Sequence, residues 1–554
     1  MNRFAALLDS LAYEPSRNNK LRLLADYFRA TPDPERGFAL AAMTGTLSFA
    51  HAKASLIRAL IAERTDPVLF AMSYDYVGDL SETVALLWPA PQTLRRNVAP
   101  PSLSDVVHGL QQADKKELPQ LLASWLDDLD ETGRWALLKL ITGALRIGVS
   151  ERLAKTAVAV LGEKAPNEIE EVWHGLAPPY LDLFAWVEGR EEKPKARDPA
   201  PFRTPMLAHA LDEADFDKLD PADFSAEWKW DGIRVQASVG TDEEGRRVAR
   251  LYSRTGEDIS RSFPDLMEML CEPHFGDVTI DGELLVMIGG QVQSFATLQQ
   301  RLNRKSVAPK LVAQYPAHIR AYDLLSENGE DLRELACVDR RARLQSFITR
   351  LAHPRLDLSP EVSFASWEAL AQARRDPASV GAQDEAEAIE GIMLKRRESI
   401  YVPGRPKGLW FKWKRDPFNI DAVLMYAQRG HGRRSSFYSD FTFGVWKGAE
   451  LVPVGKAYFG FTDEELKELD KYIRNHTRNR FGPVRELDFS AGQGLVLEIA
   501  FEGLARSTRH KSGLAMRFPR ISRIRWDKPA RDADPITTLE TLLEQGLRRG
   551  APKP

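Results

Sequence analysis

From the first residue to about Tyr180 the apolar positions recur every three or four residues, as in Leu21, Leu24 and Phe28 and again in Leu56, Leu60 and Ile61. Pro32 and Pro34, Pro89 and Pro91, and Pro100 and Pro101 punctuate the runs. That period lines one face of a helix with apolar groups and proline ends helices, so the stretch predicts an all-helical domain. Within it, Lys139 to Arg152 (KLITGALRIGVSER) predicts a helix that stops near Gly148 and a second one capped by Ser150. Such a corner either presents amides to a phosphate or is a plain helix-turn-helix connection.

Between Gly189 and Arg203 the sequence GREEKPKARDPAPFR loses its apolar period and reads as a linker. The period then changes to two: Val235, Ala237 and Val239 alternate with Arg234, Gln236 and Ser238, and Val248 to Tyr252 returns as a strand after a polar turn. Glu283 falls at the end of a strand predicted over Val278 to Ile280. Helical and strand patterns mix as far as Lys414, which predicts an α+β domain. From Ile420 short strands dominate, at Ala422 to Tyr426, Thr442 to Trp446, Leu451 to Val454 and Leu495 to Phe501, with one helix at Asp463 to Arg474. This pattern predicts a small β-barrel, of which the oligonucleotide-binding (OB-fold) barrel is a common kind. Thr537 and Glu540 are spaced as a capping box for a short helix in the tail. The predicted boundaries are 1–188 (helical), 189–203 (linker), 204–416 (α+β), 417–530 (barrel) and 531–554 (tail).

Composition narrows the function classes. The net charge of 554 residues is only −3, so any nucleic-acid binding needs basic residues gathered on one face. Two cysteines, Cys271 and Cys337, cannot build a cysteine zinc module and give no disulfide framework. The N-terminus has no long apolar core of a signal peptide and no run approaches the ~18 apolar residues of a membrane span, so a cytoplasmic protein without membrane contact is expected.

The chemistry-bearing stretches are AEWKWDGIR (226–234), LYSRTGEDIS (251–260), TIDGELLV (279–286), IRAYDLL (319–325), IEGIMLK (389–395), LWFKWKRDP (409–417) and RFPRISRIRWDKP (517–529). In this order they resemble the nucleotidyltransferase motifs of ATP-dependent polynucleotide ligases. TPMLAHAL (204–211) and the helical domain before it resemble the larger DNA ligases that carry an N-terminal DNA-binding domain. The resemblance spans nearly the whole chain. It implies a nick-sealing enzyme that uses ATP as AMP donor and Mg²⁺, acts on nicked double-stranded DNA and works as a monomer.

The reaction explains the residue types. Joining a 3′-hydroxyl to a 5′-phosphate is uphill until the phosphate gains a good leaving group, and AMP is that group. By the resemblance, Lys229 is the nucleophile that takes AMP from ATP; a lysine can attack once it has lost its proton. Glu227, two residues earlier and so on the same strand face, accepts a hydrogen bond from the adenine amino group. Arg234 and Arg254 reach ribose and phosphate oxygens, Tyr322 stacks on adenine, and Lys412 and Lys414 stabilise charge on the α-phosphate. Glu283 serves the ribose and the metal, and Glu390 is the second metal carboxylate. The chain departs from the family where a second basic residue precedes the LWFKWK run: Pro406 stands there, leaving Arg405 alone to meet phosphate. Arg525 and Lys528 orient pyrophosphate in the first step and then swing away. Arg146, Arg429, Arg433, Arg434, Arg506 and Arg509 are candidates for DNA phosphates.

Two other readings share parts of this pattern. An RNA ligase or mRNA-capping guanylyltransferase also uses a lysine in K-x-D-G, and a non-catalytic nick-binding scaffold would keep the shell alone. The helical first domain and the SRTG stretch favour DNA over RNA. Retention of Lys229, Glu283, Glu390, Lys412 and Lys414 together favours chemistry over a scaffold.

Overall fold

The computed structural model describes residues 1–554 apart from 91–98, 144, 195–197, 303–306, 430–436, 483, 490–493, 508–510 and 550–554. The chain forms two compact units, one from Met1–Lys195, Asn419–Glu502 and Arg506–Ile536, the other from Ala196–Phe418, Gly503–Ala505 and Thr537–Pro554. Among the described residues no helix is long and apolar enough to cross a membrane.

In the first unit, helices run from Asn2–Tyr13 to Leu181–Val187 with no strand between them among the described residues. Their starts follow capping chemistry, with Asp66, Asp79, Ser102, Asp130 and Ser150 each accepting from an amide of the first turn. Phe4, Leu8, Leu24, Phe28, Leu40, Leu137 and Phe184 meet in one core. Arg36, buried beside that core, grips Asp33 and Glu188 and so ties the third helix, Glu35–Met43, to the end of the last. The Arg36 hydrogen bonds hold the Glu188 carboxyl down at about 2. The corner at 139–152 differs from expectation: the helix ends at Thr142 on Gly143 (φ 68°), well before Gly148, because glycine there already supplies the left-handed residue that closes a helix. The Ile147 carbonyl then accepts from the Lys20 ammonium, and Ser150 starts the next helix as expected.

The same unit carries the β-rich C-terminal region. Strands β12 (Phe418–Arg429), β13 (Tyr438–Lys447), β14 (Glu450–Ala457), β15 (Thr477–Phe481), β16 (Val484–Leu487) and β17 (Val496–Phe501) join in the order β14-β13-β12-β16-β15, with β17 pairing to β12 and to Arg520–Arg525. The helix Asp463–Asn475 is closed by a full capping box at Thr462 and Glu465. In the tail the helix begins at Ile536 and holds Thr537 inside its first turn, so Thr537 is not its N-cap.

The second unit is built from β1 (His209–Ala210), β2 (Phe224–Trp230), β3 (Ile233–Thr241), β4 (Arg247–Ser253), β5 (Val278–Ile288), β6 (Gln291–Val292), β7 (Ala317–Glu327), β8 (Glu330–Asp331), β9 (Leu356–Leu358), β10 (Ile389–Arg396) and β11 (Trp410–Lys414). One sheet runs β1-β11-β10-β2 and another β4-β3-β5-β7-β8. Only the β1–β11 pair of the first sheet is parallel, joining His209 to Phe411 and Ala210 to Lys412. β5 extends well past Ile280, so Glu283 sits inside the strand and not at its end. Asp281 and Gly282, residues common in turns, do not end it, because pairing to β3 and β7 on both sides overrides that local preference. Likewise the polar positions of β3 do not face solvent: Gln236 is 2% and Ser238 0% exposed, with Gln236 hydrogen-bonded to Arg203 and Asp281.

Candidate active site

Lys229 lies on β2, whose Phe224, Ala226, Trp228 and Trp230 all turn into one apolar cluster. Ser225, Glu227 and Lys229 therefore share the opposite face. The two tryptophans beside Lys229 anchor the strand from beneath and do not enclose the amine. β10 runs between β2 and β11 so that Gly391 stands opposite both Lys229 and Lys414, and Met393 opposite both Glu227 and Lys412. The register slips between Ile389 and Gly391, leaving Glu390 as the bulged residue. Gly391 takes φ 151°, and a Cβ there would stand 2.2 Å from the Trp413 carbonyl oxygen, so the bulge requires glycine. Its effect is to place Glu390 Oε1 2.8 Å from Lys229 Nζ and Oε2 2.9 Å from Lys414 Nζ.

Charge is concentrated around these groups. Burial pushes the Lys412 ammonium below the usual lysine range, and Arg405, Lys229, Lys414 and Arg254 add to the effect. A half-buried lysine hemmed in by four further cations makes a cradle for a polyanion. Glu390 is opposed by its burial yet held below the usual carboxylate range by Lys229 and Lys414. Glu283 behaves in the opposite way. Burial, reinforced by the Glu390 charge and only partly offset by Lys229 and Arg234, pushes its carboxyl up to about 8. It accepts no hydrogen bond from the described residues, although it lies opposite Arg234 on β3 and Arg320 on β7.

The structure also gives several candidates partners that sequence reasoning missed. Arg234 donates to the Met206 carbonyl at 2.6 Å, Asp281 at 2.7 Å and the Tyr401 hydroxyl at 3.1 Å. Its Nε is buried without a hydrogen-bond partner. Asp281, to which the sequence assigned no role, is thus the buried counterion of Arg234. Glu227 is 3% exposed and bound by Arg341 and Lys395. The Tyr322 ring lies 4.6 Å from Lys395 Nζ and 5.8 Å from the Arg234 guanidinium carbon. One signal for Lys395 was visible: it ends the IEGIMLK stretch, on a strand where alternate residues share a face.

Arg525 and Lys528 belong to the other unit. Both engage Asp421, at 3.2 and 2.7 Å, and Arg525 also holds Asp527, whose carboxyl that hydrogen bond draws down to about 2. Of the DNA candidates, Arg146 and Arg506 are exposed, and Arg429 is exposed with its guanidinium 5.8 Å from the Tyr438 ring. Arg433, Arg434 and Arg509 lie outside the described residues.

Residues 205–414 match the family described as ATP dependent DNA ligase domain, and residues 434–528 match the ATP dependent DNA ligase C terminal region. The chain is 30% identical to the "Probable DNA ligase" of Koribacter versatilis, across 98% of this chain and 96% of that protein. It is 26% identical to "DNA ligase 1" of Korarchaeum cryptofilum, across 99% of both. A solved structure described as Pmar-Lig_Pre shares the fold over 95% of this chain and 99% of its own, with a TM-score of 0.56 at 14% identity. With family models matching residues 205–414 and 434–528 and a relative 30% identical over nearly the whole of both chains, the chain belongs to the ATP-dependent DNA ligase family.

Proposed function

We infer that the Lys229 amine attacks the α-phosphorus of ATP, expelling pyrophosphate and leaving AMP on Nζ. The AMP then passes to the 5′-phosphate of a nick, and the 3′-hydroxyl displaces it to close the strand. The observation that best supports this reading is the Lys229–Glu390–Lys414 bridge set beside Lys412, Arg254 and Arg405. Attack requires the 2.8 Å ion pair with Glu390 to open and Nζ to give up its proton. The remaining cations suit the charge that develops on the α-phosphate oxygens in each transfer.

Glu227 is read as the adenine acceptor, Tyr322 as the stacking ring, and Arg234 as a ribose or phosphate contact whose guanidinium Asp281 pre-orients. Glu283 suits a cation: its carboxyl is partly buried, accepts no hydrogen bond from the described residues and is destabilised as an anion by burial and by Glu390. Together with phosphate oxygens and water, those two carboxylates fit Mg²⁺, which would neutralise charge on the transferring phosphate.

Residues 1–188 are read as the DNA-binding domain, 204–416 as the adenylation domain joined through 189–203, and 417–530 as an OB-fold barrel followed by a tail at 531–554, in a monomer that grips nicked DNA through phosphates. Intact-mass analysis with Mg²⁺ and ATP, GTP or NAD in turn tests the chemistry. An AMP adduct from ATP alone, absent in Lys229→Ala, is expected; an adduct persisting in that variant would refute the assignment of the nucleophile.

Arg525 and Lys528 are read as the pair that orients pyrophosphate, which requires them to leave Asp421 during the first step. Arg525→Ala and Lys528→Ala are therefore expected to slow lysyl-AMP formation by about tenfold or more, the scale of a lost charge-assisted contact. Sealing of a pre-adenylylated nick should be spared. Intact self-adenylylation with loss of sealing alone would reverse the assignment.

A further inference from the structure

The Glu227 carboxylate is held more firmly than its burial requires. Arg341 Nη1 and Lys395 Nζ both donate to its Oε1, each at 2.9 Å. No hydrogen bond from the described residues reaches Oε2. Lys395 is itself 2% exposed and donates a second time, to the Tyr322 carbonyl at 3.1 Å. Its ammonium also lies 4.6 Å from the Tyr322 ring centre and 5.0 Å from that of Trp410. Arg341 is fixed in turn by the Ser359 carbonyl at 2.6 Å and by Glu361 at 3.0 Å. One buried cation thus connects the carboxylate of β2, the aromatic ring of β7 and the indole of β11.

Stability alone does not explain this arrangement. Taking an ammonium and a carboxylate out of water costs about as much as their attraction returns, and apolar side chains of similar volume serve a core as well. What the two donors do accomplish is chemical. They occupy one oxygen of Glu227 and leave Oε2 with its lone pairs in a fixed direction. An acceptor so placed complements the 6-amino group of adenine. A 6-oxo purine would set its own carbonyl oxygen against Oε2, two acceptors with no proton between them, whereas a carboxyl free to rotate or to take a proton could donate to that oxygen.

We propose that Lys395 and Arg341 are positioning residues that set base selectivity, holding Glu227 as an oriented acceptor for a 6-amino purine and aligning it with the Tyr322 ring. This rests on the reading of Glu227 as the adenine contact.

The test is the rate of lysyl-AMP or lysyl-IMP formation by the full chain with Mg²⁺ and either ATP or inosine triphosphate. Lys395→Met and Arg341→Gln are expected to lower the ATP-over-ITP ratio of kcat/KM by about tenfold or more, chiefly through a higher KM for ATP, the signature of a mis-set hydrogen-bonding group. Arg341→Lys, which keeps a cation, should restore much of the ratio. Equal losses with both nucleotides, leaving the ratio unchanged, would overturn the proposal in favour of a purely structural role. Glu227→Gln separates the two levels of the argument. Should the ratio survive that change, the adenine contact itself is misassigned; should it fall there and hold in the Arg341 and Lys395 variants, only the positioning role is wrong. Arg341 lies at a partly exposed position, so Arg341→Gln decides the matter if Lys395→Met does not fold.

Discussion

Glu283→Gln is expected to give a protein that resists unfolding better than the parent at pH 8 and yet forms almost no lysyl-AMP. The parent carboxyl has an ordinary value of 4.5 and is pushed up to about 8 in the folded chain. Between those limits the native state keeps a proton that the unfolded state has shed. Stability therefore falls as pH rises through the window, by up to about 4 kcal/mol for a displacement of this size. An amide has no such proton, so the variant should lose the slope, matching the parent near pH 4.5 and exceeding it at pH 8. Thermal unfolding of the nucleotide-free chain at several pH values measures the difference. Parallel pH dependence in the two proteins would show that Glu283 is not the titrating group. The accompanying loss of adenylylation, on the order of a hundredfold, is what removal of a preorganised electrostatic group at a reacting phosphate produces. A site that is destabilising at rest and needed in use is the usual bargain between activity and stability.

The second large effect concerns a pair that touches no reacting atom. Arg340 and Asp323 are 0% and 2% exposed at their side chains and meet through two contacts of 2.8 and 3.0 Å. The remaining Arg340 donor serves the Leu335 and Ser399 carbonyls. Asp323→Ala leaves a buried guanidinium without its counterion and should destabilise the second unit by about 3–5 kcal/mol. Asp323→Leu combined with Arg340→Leu should cost clearly less than the sum of the two single changes, because neither partner is left charged and alone. Urea denaturation followed by tryptophan fluorescence supplies the cycle. Strict additivity would mean that the two side chains do not act as a pair. Asp323 follows Tyr322 directly, so loosening this anchor should also blur the platform on which the adenine ring is read to stack.

Much of this arrangement was legible in the sequence. Alternation along EWKWDG placed Glu227 and Lys229 on one face, and the ordered motifs brought Glu390, Lys412 and Lys414 to the same neighbourhood, where the strand register puts them. What alternation could not reveal was partnership across distance. Asp281 pairs with Arg234 from 47 positions away and Lys395 with Glu227 from 168, and nothing local distinguishes such an aspartate from a turn residue. The pairing of Asp421 with Arg525 and Lys528 was hidden in the same way. Local preference misled where tertiary pairing won, as at β5, which continues through Asp281-Gly282, and in the tail, where Thr537 is helical and not a cap. At 139–152 the error was a choice between two glycines, since Gly143 and Gly148 both take positive φ and only position relative to the apolar run separates them.

The parallel pair of β1 with β11 has a mechanical consequence. The strand by which the chain enters the second unit and the strand near which it leaves lie side by side, zipped at His209 to Phe411 and Ala210 to Lys412. Sliding of one of these strands along the other is therefore resisted in shear along one seam at the sheet edge. The Lys229 strand, two places from β11 at the opposite edge of the sheet, is shielded from that load. Lys412 is not, because it forms half of the seam, and any slide there would be felt first at the cluster of cations around it.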